Sequence, residues 1–262
     1  MLWISILVFI VGVSIGSFLN VVIFRTHEGE AIVRGRSKCR VCENPIRAGD
    51  LIPVLSYLRL RGQCRACHAV ISWQYPAVEL ATGLLFVLFY LMVATRMGNN
   101  FGLLSVGLSI LRYWVFVAFL VIIFLYDLRH MLIIDRFTIP AMIFAILMNL
   151  WLGTVPAWSL LVGSLVLAGF FWVQFAISKG TWVGGGDIRM GALMGFMLGL
   201  EQGLVALFLA YMFGAAVGIV MMACGKATRK TPVPFGSFLA VATLVTLFAG
   251  QPLIHWYLTF FL

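Results

Sequence analysis

The chain has 262 residues, of which 63% are hydrophobic and only 10% charged, and its mean hydropathy is +1.07. No water-soluble fold of this length could hide that much apolar surface, so lipid is the solvent for most of it. A formal net charge of +9 is, by itself, a mark of nucleic-acid binding. However, nine of the eighteen Lys and Arg lie between Arg25 and Arg65 and most of the others flank apolar runs, as topology signals do, so no nucleic-acid partner is expected.

In chain order, the first apolar run, Met1 to Phe24, has no basic n-region and no small-residue cleavage site. It holds Gly16 and Asn20 and closes on Arg25, which fits a retained helix better than a removed signal peptide. The stretch 26–74 is the one segment that looks water-soluble, being basic and broken by Gly and Pro. Spanning helices of about 20 residues then fit at 77–95, 108–126, 137–153, 157–178, 188–200, 203–223 and 234–250. With the first run that makes about eight, of which 188–200 is short and Gly-rich; residues 251–262 either extend the last span or lie in the interface.

The expected fold is therefore an all-α polytopic membrane protein with a small loop domain between its first two spans, because lipid-facing irregular backbone is forbidden. The expected division is a first transmembrane helix (1–25), a cysteine-rich loop domain (26–76) and a transmembrane domain (77–262). Placing the soluble loop in the cytosol and alternating the spans puts sixteen of the eighteen Lys and Arg on that side, leaving only Arg96 and Arg112 outside. Asp127 and Asp187 then lie at cytosolic helix ends.

Within the loop, Cys39-Arg-Val-Cys42 and Cys64-Arg-Ala-Cys67 form two C-x2-C pairs separated by 21 residues. Each pair can present two thiolates to one point, and two such knuckles supply the closed tetrahedral set of a structural Zn2+ site. A loop of this size has little core of its own and needs such a staple. The other readings are two disulfides, which require the oxidising side of the membrane, or four unrelated thiols.

Nine acids are present, four of them in the loop (Glu28, Glu30, Glu43 and Asp50). The remaining five, Glu79, Asp127, Asp135, Asp187 and Glu201, each need a reason at membrane depth. Asp127 closes an apolar run, and Asp187 ends Gly184-Gly185-Gly186-Asp187. Glycines there allow close approach of a neighbouring backbone and are expected to unwind the helix end. Two carboxylates brought together share a proton and so offer a base for water and an acid for a leaving amide. Equally, each could be a helix cap or the partner of Arg129 or Arg189. Asp135 reads as a cap before a helix starting at Phe137, Glu201 as a solvated loop residue, and Glu79 as either a dipole partner or a functional group.

Taken together, these residues resemble the type IV prepilin peptidase family. Gly16-Ser-Phe-Leu-Asn-Val-Val-Ile-Phe-Arg25 is similar to the family's amino-terminal signature, and residues 52–64 to its approach to the second cysteine pair. Residues 71–79 resemble the entry to its second helix, and Gly184, Gly186 and Asp187 its Gly-x-Gly-Asp motif, with Asp127 as the other family aspartate. Ile134 and Arg189 stand where relatives often have Pro and Lys.

The resemblance implies an intramembrane aspartyl endopeptidase with Asp127 and Asp187 catalytic and Gly184 and Gly186 in the active-site loop. It implies prepilin or pseudopilin substrates with a basic leader and a hydrophobic amino-terminal helix, cut after Gly on the cytosolic side of a bacterial inner membrane. N-methylation from S-adenosylmethionine would follow, with Glu79 the candidate cofactor contact and Cys39, Cys42, Cys64 and Cys67 holding Zn2+. Competing readings are a proton- or ion-coupled transporter using the buried acids and a zinc-stapled scaffold without catalysis.

Overall fold

Apolar runs in lipid must satisfy their backbone internally, and the computed structural model of the chain does so with helices throughout. It describes residues 2–97, 102–226, 228, 231 and 233–261. Arg229 and Lys230, two of the charges counted for orientation, lie outside the described residues. Among the described residues, seven helices are long and apolar enough to span a bilayer: α1 (Leu2–Glu28), α3 (Gln74–Met97), α4 (Leu103–His130), α5 (Asp135–Leu152), α6 (Ala157–Ser178), α7 (Gly185–Ala223) and α8 (Phe235–Phe261). The short α2 (Leu55–Arg59) sits in the loop, which otherwise holds a 3-10 turn and two isolated bridges. Residues 251–261 continue α8.

The chain forms two compact units, Met1–Ala118 and Phe119–Leu262. In the first, α1 packs on α3 through small residues. A Cβ on Gly12 would come within 2.8 Å of Gly83 Cα, and one on Gly16 within 2.8 Å of Glu79 Cα. Trp114 of α4 stacks on Phe86 and donates its indole N–H to the Phe86 carbonyl at 3.1 Å.

In the second unit α7 packs against α5, α6 and α8. Its 39 residues would run about 58 Å if straight, against a hydrocarbon core of about 30 Å. The helix is broken at Gly199, whose φ of 75° and ψ of −169° suit only glycine. Leu167 of α6 touches both Gly191 before the break and Gly203 after it, so the two limbs lie side by side. The two expected segments 188–200 and 203–223 are thus limbs of one folded helix, which reconciles about eight segments with seven helices. Glu201 belongs to the second limb and is helical, not a loop residue.

A break frees backbone groups that hydrocarbon cannot satisfy. Asn149 of α5 donates to the Phe196 carbonyl at 2.7 Å, and Ser159 of α6 accepts from the Leu200 N–H at 3.0 Å. Those two backbone groups would bond each other in an unbroken helix. The two side chains take over that bond.

Candidate functional site

The loop of the first unit is built from two copies of one turn, offset by 25 residues. In the first, Cys39 N–H bonds Asn44 O, Glu43 N–H bonds Cys39 O, and Ile46 N–H bonds Ser37 O; in the second, Cys64, His68 and Ile71 bond Ala69, Cys64 and Gly62 in the same pattern. Even the left-handed residue recurs, Glu43 at φ 57° and His68 at φ 56°. All four thiols are free, and their sulfurs lie within 4.8 Å of one another, Cys39 and Cys67 at 3.9 Å. A tetrahedral zinc–thiolate set has sulfur–sulfur edges of about 3.8 Å, so the donors fit that ion.

The thiols are also electrostatically unequal. N–H groups of Cys42 and Val41 lower Cys39 to about 6. The Ala69 N–H pulls Cys67 down, but the crowding thiols outweigh it and push Cys67 up to about 12. A divalent cation would relieve that crowding.

Two clamps fix this domain. Asp50 accepts from Arg59 at 2.6 Å and from Arg65, inside the second knuckle, at 2.7 and 2.8 Å. Arg65 and then Arg59 hold the Asp50 carboxyl down at about 2. Arg25, at the end of α1, donates to the carbonyls of Ala31, Ile32, Arg34, Gly35 and Arg36. From the sequence Arg25 reads as a topology charge and as the end of the amino-terminal signature, and neither reading gives it this role. Glu79 of α3 is buried and accepts the Val54 N–H at 2.7 Å, with the Ser17 hydroxyl also on its carboxylate. Val54 centres a γ-turn closed by Leu55 N–H on Pro53 O, at φ 59° and ψ −52°, a strained conformation for a β-branched residue.

In the second unit, Asp127 lies near the carboxyl end of α4 and is buried. Its Oδ2 accepts both the Ser237 N–H, at 2.6 Å, and the Ser237 hydroxyl, at 3.0 Å. Gly236 allows this: a Cβ there would stand 3.0 Å from the Asp127 carboxyl carbon and 2.5 Å from Ile133 Cδ1. Asp187 is the third residue of α7, and its Oδ2 accepts the Gly184 N–H at 3.0 Å. Gly186 lies against Ile133, where a Cβ would meet Ile133 Cβ at 2.8 Å and its carbonyl oxygen at 3.2 Å. Ile133 is therefore flanked by the starts of both α7 and α8, and the two aspartates interact electrostatically. On a straight helix Asp187 and Tyr211 would be about 36 Å apart, yet they too interact, because α7 folds back.

Several expectations change here. Asp135 is not the cap of α5: Ile134 takes that position, and Asp135 opens the helix and pairs with Arg189 at 2.7 Å. Arg189 is thus committed to Asp135 and not to Asp187. The glycines do not unwind the start of α7, since Gly185 and Gly186 are already helical. For Asp187 the capping reading holds for one oxygen, and the neighbourhood of Asp127 is present besides. Sequence reasoning missed Ser237 and Gly236; the signal was two small residues opening an apolar helix just after Pro234 and Phe235.

The chain matches two protein families, Bacterial Peptidase A24 N-terminal domain over residues 10–93 and the Type IV leader peptidase family over residues 114–219. A prepilin leader peptidase/N-methyltransferase of Aeromonas hydrophila is 36% identical over 98% of this chain and 94% of its own length. One of the same name from Bacillus subtilis is 31% identical over 96% and 97%, and one from Pseudomonas aeruginosa 29% over 96% and 92%. No solved structure matches the chain.

Proposed function

The chain belongs to the type IV leader peptidase family, and on that premise we propose that it is an intramembrane aspartyl endopeptidase acting on prepilins or pseudopilins. It cuts the basic leader after Gly at the cytosolic face of a bacterial inner membrane and then methylates the new amino terminus with S-adenosylmethionine. The observation that carries this reading is that Gly186, next to Asp187, and Gly236, against the Asp127 carboxyl, both pack on Ile133, which brings the two acids into electrostatic range of each other. A pair of carboxyls sharing one proton can take a proton from water while giving one to the leaving amine. The water oxygen forms the bond to the scissile carbonyl carbon as the C–N bond breaks, with no covalent enzyme intermediate.

The placement of Lys and Arg supports a cytosolic site, where a substrate anchored by its own helix presents its leader. Cys39, Cys42, Cys64 and Cys67 hold Zn2+, which closes the two knuckles and supplies no chemistry beyond that. Glu79, the candidate contact for the methyl donor from the sequence, serves that step by positioning and not by direct contact. Its carboxylate is already taken up by Val54 and Ser17, so its part there is to hold the loop on α3. The transporter alternative finds no support: Asp127 and Asp187 sit at helix ends, and the relatives are named as peptidases.

The test is to change Asp127→Asn and Asp187→Asn singly and follow prepilin cleavage in detergent. Each is expected to abolish cleavage while the protein elutes as the parent does. Cleavage at the parental rate in either variant would overturn the acid-pair mechanism.

A further inference from the structure

The two aspartates are not equivalent in their hydrogen bonding. Asp127 Oδ2 receives two donors from one residue, the Ser237 N–H and hydroxyl. Asp187 Oδ2 receives one, the Gly184 N–H. No hydrogen bond reaches Oδ1 of either among the described residues. Donors aimed at a carboxyl oxygen favour the carboxylate over the acid. We infer that Ser237 is a positioning residue that makes Asp127 the member of the pair that takes the proton from water, leaving Asp187 to protonate the leaving amine. This rests on the peptidase reading above and assigns the two roles within it.

The Ser237 hydroxyl has one hydrogen and two acceptors in reach, Asp127 Oδ2 at 3.0 Å and the Phe124 carbonyl at 3.1 Å. While Asp127 is ionised, that hydrogen points at Oδ2. Once Oδ1 has taken a proton, Oδ2 is the weaker acceptor of a neutral acid, and the serine hydrogen is free to turn to the Phe124 carbonyl. The hydroxyl rotates and no heavy atom has to move, so the contact serves both ends of the proton transfer. With Oδ2 tied to α8, Oδ1 is the oxygen left to face water. The water proton goes to Asp127, the water oxygen bonds to the carbonyl carbon, and the proton held by Asp187 goes to the amide nitrogen as it departs.

The experiment compares Ser237→Ala, Ser237→Val and Ser237→Thr for kcat and KM of prepilin cleavage, each checked for parental elution in detergent. Thr keeps both donors, and Val has the shape of Thr without the hydroxyl. Ala and Val are expected to lower kcat about tenfold with KM changed less than about twofold, and Thr to restore kcat. Parental kcat in Ala and Val, or Thr as slow as Val, overturns the inference. If Val fails to fold, Ala against Thr carries the comparison, and Ser237→Cys, a weaker donor of similar size, is expected between them. Asp127→Asn and Asp187→Asn run alongside: an active aspartate variant brings down the peptidase reading and this inference with it. Inactive aspartate variants with a parental Ser237→Ala bring down this inference alone.

Discussion

Of the three glycines before Asp187, the structure requires only one to be glycine, and that is a sharp prediction. A Cβ on Gly186 would stand 2.8 Å from Ile133 Cβ, 3.2 Å from Ile133 O and 3.4 Å from Ile133 N. Carbon atoms rest at about 3.5–4.0 Å, so Gly186→Ala must open the α7–Ile133 contact by about 0.7–1.2 Å. Most of what it meets is backbone and cannot swing aside. Overpacking of this kind costs about 1–3 kcal/mol, offset by the roughly 0.5–1 kcal/mol gained when Ala replaces Gly in a helix. Asp187 is the next residue and shifts with the helix start, and under the proposed mechanism displacing its carboxyl by about 1 Å costs about a hundredfold in rate. Gly185 has nothing within 4 Å of its Cβ position, so Gly185→Ala is expected to fold and cleave as the parent does. The assay is prepilin cleavage in detergent beside size-exclusion elution. Equal activity in the two alanine variants would refute the reasoning, since the close approach to Ile133 would then not set the position of Asp187.

Other outcomes follow from features far from the aspartates. Gly199→Ala places a side chain at φ 75° and against Ser159 Oγ and Val155 Cγ1, both at 2.7 Å, so a lower midpoint of detergent unfolding is expected, with Gly185→Ala as the unaffected control. Zinc should copurify at about one per chain and be lost from Cys39→Ser combined with Cys64→Ser; protease should then cut within residues 31–71, and metal-free parent protein would exclude the site. Asp50 is held at about 2 by Arg65 and Arg59. Its contribution is therefore complete above the unfolded carboxylate value of about 3.9 and lost only as pH falls towards 2. The difference in loop protease resistance between the parent and Asp50→Asn should accordingly be the same at every pH from about 5 to 8, with the variant the more sensitive throughout.

Features that depend on local pattern were legible in the sequence. Hydropathy placed every long helix, and the C-x2-C spacing gathered the four cysteines, because both rest on neighbours along the chain. Gly199 stood in a visible gap between two apolar segments, but composition could not say whether that gap was a loop or a fold within one helix. The pairing of Asp135 with Arg189 was not legible, because the nearer capping explanation was sufficient by itself. Ser237 was invisible for the same reason: its partner Asp127 is 110 residues away, and a serine at a helix start has an ordinary local explanation.

The brace at Gly199 also constrains how the protein can be made. Without Asn149 and Ser159 the limbs would leave the Phe196 carbonyl and the Leu200 N–H without their partners between packed helices, at about 1–3 kcal/mol each. Both braces lie upstream of the break, on helices that leave the ribosome earlier. Synthesis from the amino terminus therefore supplies the receptor for the bend before the bend itself, and moving α5 and α6 behind α7 by circular permutation would reverse that order.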